Sequence, residues 1–86
     1  MRAGAKHERY NINTIAERDA YRCGLCHKRV SMLMVWPNPK APTIDHILPL
    51  AEGGDDTRAN VQLAHSICNS TKGSRPHTTD QLRLVG

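Results

Sequence analysis

Two short-spaced pairs frame the middle of this chain: Cys23-Gly24-Leu25-Cys26 and His65-Ser66-Ile67-Cys68. A CxxC spacing lets both thiolates face one ion from a tight turn. Residues three apart at the start of a helix lie on one face. Together Cys23, Cys26, His65 and Cys68 form a Cys3His donor set, the chemistry of a closed tetrahedral structural zinc site. A blander reading makes Cys23 and Cys26 a redox pair and Cys68 a small buried hydrophobe, but no βαβ pattern surrounds the CxxC. His27 competes with His65 for the fourth place. Adjacent residues rarely reach one ion from the same knuckle, so His65 is preferred over a neighbour of Cys26.

Between the pairs stands Asp45-His46. A carboxylate is a hard oxygen ligand suited to Mg2+. A His near neutrality can take a proton from water. Hydrolysis of a phosphodiester needs both services, an activated water and a cation beside the phosphate. Adjacent side chains of a strand point to opposite faces, so both can serve one site only where the strand ends or bends. Pro49 lies close behind, consistent with such an end. Taken singly, Asp45 reads as a turn cap and His46 as a surface His.

The fragments CGLC, IDHILPLAEGG, the Asn of RANVQLAH and HSICNSTKG occur in that order. Over about residues 21–73 the chain resembles the HNH endonuclease family. The resemblance implies a small α+β fold, the ββα-metal (His-Me finger) motif. That motif is a β-hairpin with a crossing helix, here stapled by a structural zinc and preceded by an N-terminal helix. It implies a metal-dependent endonuclease that leaves 3′-hydroxyl and 5′-phosphate ends. His46 is then the general base. Asp45 and Asn69 hold a single catalytic cation, Mg2+ or another divalent ion such as Mn2+ or Ni2+. Asn60 supports the loop by hydrogen bonds. Two positions depart from the family pattern: His65 stands where a Cys is usual, and Asn69 where the last His of the name is usual.

The elements that must position these residues can be read coarsely. Thr14 followed by Glu17 fits a capping box and a helix over about Ile15 to Tyr21, with Ile15 facing inward and Ala16 and Ala20 as further inward candidates. Val30 to Trp36 is apolar and reads as a strand or buried loop, with Met32, Met34 and Val35 taken as core. Pro37, Pro39 and Pro42 interrupt regular structure. Thr43-Ile44-Asp45 reads as a strand, Gly53-Gly54-Asp55-Asp56 as a turn, and Asp56 as the cap of one helical turn ending near Asn60. Val61-Gln62-Leu63 reads as a second strand. A helix then runs from His65 or Ser66 to Lys72, ended by Gly73. The whole is one domain with its core at about 14–74, a flexible basic arm at 1–10 and a tail at 75–86, where Leu82, Leu84 and Val85 are candidates to dock on the domain.

Composition bounds what remains. The chain has 86 residues, no Phe, one Trp and two Tyr, so large aromatic contributions to a core are nearly absent. A domain of this size benefits from a staple, and a structural zinc can supply about 10–16 kcal/mol of folding energy. Three Cys cannot pair fully as disulfides, and no secretory leader or membrane-length apolar run is visible. A cytoplasmic setting follows, in which clustered Cys and His read as metal ligands. Domains resembling this one occur in phage packaging, homing, restriction and toxin systems. The net charge is +4, yet residues 41–57 hold Asp45, Glu52, Asp55 and Asp56 and no Lys or Arg. Basic flanks around an acidic centre suit a protein that grips phosphates and places a cation at one point. Arg22, Lys28, Arg29, Lys72 and Arg75 are the nearest candidates to contact DNA, double-stranded on this reading, with affinity rather than sequence selection. A protein partner would then supply target choice. The alternative is a zinc-stabilised nucleic-acid-binding module without catalysis.

Overall fold

The computed structural model describes residues 6–73. Helix α1 spans Ile12–Arg18 and starts earlier than the Thr14 signal suggests. The cap is Asn11, whose extended backbone (φ −131°, ψ 158°) aims its side-chain oxygen at the Thr14 N–H, 2.9 Å away. Asn is among the strongest N-cap residues, and here it pre-empts the Thr14 box. Beyond Arg18, Ala20 and Tyr21 take positive φ angles of 56° and 58° and turn the chain into the Cys23 knuckle. Ala20 is accordingly exposed, whereas Ile15 and Ala16 are buried.

A seven-residue helix is marginal alone, so packing must hold it. Its C-terminal end is stitched to the second strand. Arg18 donates to the carbonyls of Arg58 and Val61, each at 2.8 Å, and pairs with Asp19. Asp19 in turn accepts the Leu63 N–H at 2.9 Å.

Strand β1, Pro42–His46, and strand β2, Val61–His65, form an antiparallel two-stranded sheet. Its register sets His46 opposite Val61, Asp45 opposite Gln62 and Ile44 opposite Leu63. Two short 3-10 turns, Leu50–Glu52 and Arg58–Asn60, lie in the connection. The second begins at Thr57, not at an Asp56 cap, because the Asp56 side chain is engaged elsewhere. Gly54 is required at the tight point of the connection: an added Cβ would meet the Leu48 carbonyl oxygen at 1.9 Å.

Helix α2, Ser66–Lys72, follows β2 with no intervening loop and packs on both strands. Its first N–H groups are taken by the preceding loop: Ser66 donates to Ala41 O and Ile67 to Pro39 O, both at 2.8 Å. Gly73 closes it, donating to Asn69 O. The architecture is thus the small α+β arrangement of two strands, a crossing helix and an N-terminal helix.

The core is Ala16, Cys23, Val30, Leu63 and Ala64, with Ile12, Leu25, Cys26, Met32 and Cys68 packed around it. All three cysteines lie in it or against it. The stretch after Val30 departs from its apolar composition. Val30 is buried and Met32 packs on the core, but Leu33, Val35 and Trp36 are 90%, 73% and 79% exposed and Met34 is half-exposed. No strand pairs with them in the described residues, so their side chains have no second layer to face. Residues 6–10, expected as part of a loose arm, are docked against residues 55–58. The expected tail lies outside the described residues. Among the described residues, no helix is long and apolar enough to cross a membrane.

Candidate functional site

The ligand atoms of Cys23, Cys26, His65 and Cys68 all lie within 4.8 Å of one another. His65 Nδ1 is 3.4 Å from Cys26 Sγ and 3.9 Å from Cys68 Sγ. Its Nε2 lies 2.9 Å from the Arg29 carbonyl oxygen. A carbonyl can only accept, so Nε2 carries the proton and the Nδ1 lone pair faces the sulfurs. A second hydrogen bond of this kind orients a metal-binding imidazole. His27 is exposed and outside this group, which includes His65.

The thiols are tuned unequally. Burial raises Cys23, but the N–H groups of Cys26, His65 and Leu25 aimed at its sulfur outweigh that and bring it down to about 7. Burial, then the charge of Cys23, push Cys68 up to about 12. Three adjacent thiolates therefore oppose one another unless a cation sits among them. The donor set and its spacing fit a metal such as zinc.

Asp45, at 2% exposure, points inside. Its oxygens accept from Lys72 Nζ at 2.9 and 3.1 Å, and Gln62 Nε2 donates to Oδ2 at 2.9 Å. Lys72 also donates to the His46 carbonyl at 2.6 Å. Its assignment to the DNA-facing surface is therefore corrected: it is 8% exposed, and its ammonium is spent inside the fold. Lys72 lies one turn beyond Asn69 on α2, which brings both side chains to β1.

His46, at the end of β1, sets its Nε2 2.9 Å from Asp56 Oδ1. Hydrogen bonds from Tyr10 and His46 hold the Asp56 carboxyl below its usual range. An ionised carboxylate only accepts, so Nε2 carries a proton, and in the neutral ring Nδ1 keeps its lone pair. Asn60 ties the connection behind His46: Leu48 N–H donates to its oxygen, and its amide donates to Leu48 O and Asp55 O at 2.9 and 2.7 Å. The Asn69 amide nitrogen donates to Ile44 O at 3.1 Å. That leaves its oxygen as the atom with which it could meet a cation.

Asp45, His46 and Asn69 line one open pocket of about 240 Å³ with Ile44, Pro49, Leu50, Ala51 and Gly73. A larger groove of about 410 Å³ has Arg18, Arg22, His27 and Arg58 in its walls. Arg22, Lys28 and Arg29 are exposed, and Arg75 is outside the described residues. Asp56, Tyr10 and Arg58 carry no spacing signal toward this site. Asp56 sits in an acidic turn, and Tyr10 meets it across a separation of 46 residues.

No curated protein sequence matches the chain. A family model described as HNH endonuclease does match, over residues 23–75, from the first cysteine of the knuckle past the end of α2. The match spans the candidate metal-binding group, the Asp45-His46 strand end and the α2 residues beside it, and the chain belongs to the HNH endonuclease family.

Proposed function

We propose that the protein is a metal-dependent DNA endonuclease that nicks or cuts double-stranded DNA with little intrinsic sequence preference, in a cytoplasmic setting. One observation carries this reading: His46, oriented by Asp56, shares a pocket with Asp45 and Asn69. In it His46 Nδ1 takes a proton from the attacking water, and Asp56 stabilises the imidazolium that results. Asn60 keeps the backbone behind His46 in place.

Zinc held by Cys23, Cys26, His65 and Cys68 is the staple of the fold. A second, divalent cation such as Mg2+, Mn2+ or Ni2+ would be held by Asp45 and Asn69, and when bound it offsets charge on the phosphate and leaving oxygen. Their oxygens suit a hard ion in kind. Asp45 already accepts from Lys72 through both oxygens, so ammonium and cation would bear on one carboxylate. Arg22, Lys28, Arg29 and Arg75, with the arginines of the larger groove, would hold DNA phosphates.

The Asp45–Lys72 pair also favours a second reading, a zinc-stabilised nucleic-acid-binding module without catalysis. A supercoiled-plasmid assay with Mg2+, Mn2+, Ni2+ or EDTA separates the two. Nicking that needs the added ion and falls at least about a hundredfold in His46→Ala, with zinc and fold retained, is the expected result. Intact plasmid under every ion leaves the binding module. A His46→Ala protein as active as wild type removes His46 as the base.

A further inference from the structure

The segment before α1 is fastened to the turn that carries Asp56. Asp56 N–H donates to Lys6 O and Glu8 N–H to Asp56 O, both at 2.9 Å. Lys6 N–H reaches Asp55 Oδ1, and Arg58 N–H reaches Glu8 Oε1, again at 2.9 Å. At the centre of this seam the Tyr10 hydroxyl donates to Asp56 Oδ1, the same oxygen that faces His46 Nε2. His7 Nδ1 lies 3.1 Å from the other oxygen, but its side chain is 74% exposed.

A carboxylate at the edge of a loop has two soft torsions, and one bond to an imidazole leaves it free to swing toward solvent. Two donors on one oxygen, from opposite elements, fix it. Tyr10 suits this task because its ring is rigid and half-buried. Exposed His7 competes with water for its bond and adds little. We propose that Tyr10 is a positioning residue for the nuclease reaction, holding the Asp56 carboxylate where it fixes the ring and tautomer of His46. This rests on the reading of His46 as general base. The segment expected as a loose arm is then part of the active site, acting through Asp56 without touching substrate.

Tyr10→Phe removes one oxygen and keeps the ring. At a single fixed pH the variant should keep one zinc per chain and its far-UV circular dichroism, with a modest fall in melting temperature from the lost bond to the carboxylate. Its kcat on plasmid should fall about tenfold with KM unchanged, a fraction of what a general base supplies. The hydrogen-bonded His46 Nε2–H proton, sharp by NMR in the wild type, should broaden. In a His46→Ala background the same change should cost nothing further. Wild-type kcat with a sharp Nε2–H signal overturns the proposal, as does an equal loss in the His46→Ala background. Should the wild type fail to nick, the nuclease reading falls. The Nε2–H signal then decides the brace alone, broadening supporting it and persistence in Tyr10→Phe overturning it. Should Tyr10→Phe lower the melting temperature strongly, the same kcat and Nε2–H readings are taken well below its midpoint, where loss of both supports the brace and wild-type values overturn it.

Discussion

Lys72 reaches from α2 to Asp45 with both groups nearly out of water, their side chains keeping 7% and 2% of their accessible surface. Removing one partner of such a pair strands the other charge, at a cost of about 3–5 kcal/mol. Lys72→Met should therefore lower the urea midpoint strongly, and Asp45→Asn added to it should recover stability. Mg2+ should stabilise Lys72→Met more than wild type, because a cation can take the place the ammonium leaves. Equal Mg2+ effects on the two proteins would separate Asp45 from the cation. The pairing was not legible in the sequence. Lys72 reads there as one more base in a basic flank, and only the crossing of α2 over β1 turns it inward. Cys23, Cys26 and Cys68 were legible because metal chemistry restricts both residue type and spacing.

At the scale of elements, the seam between residues 6–10 and 55–58 joins two loops by a tyrosine and a carboxylate whose titrations move apart. Burial, then the bond to Asp56, raises Tyr10 from 10.0 to about 12. The neutral hydroxyl is thus favoured by folding. Its contribution is fully present below pH 10.0 and is lost as pH rises through about 12. Asp56 has the opposite sign: its contribution is present above its ordinary value of 3.8 and is lost as pH falls through the lowered one. A tyrosinate absorbance titration should show a component near 12 that disappears in Tyr10→Phe; absence of any component that high in the wild type would show the seam open in solution. The strands and α2 were legible, from alternation and the Gly73 stop. The start of α1 was missed because Asn11 and Thr14, three residues apart, can each cap a helix and geometry selects Asn11. Met34 and Val35, read as core, are exposed along with Leu33 and Trp36 of the same run, because an apolar run says nothing about whether a second layer exists to cover it.

At the scale of the whole molecule, the hydrophobic core and the candidate metal site adjoin among the described residues, since Cys23 is a core residue and Cys26 and Cys68 pack against that core as candidate ligands. Stripping the metal should therefore unfold the domain rather than only silence it. Elemental analysis should find one zinc per chain, and a strong chelator should abolish far-UV circular dichroism together with any nicking. A metal-free protein that keeps its dichroism would refute the staple. The direct passage from β2 into α2 has a further consequence, for length variation. From His65 to Lys72 the chain serves the metal cluster with His65 and Cys68, and β1 with Asn69 and Lys72. One inserted residue anywhere in that stretch would rotate everything beyond it by about 100°. The cluster and the pocket could not both survive the change of phase. Insertions and deletions are expected to be tolerated in the exposed segment at 33–37 and purged here, so a library of single-codon insertions should map α2 as a segment of fixed length.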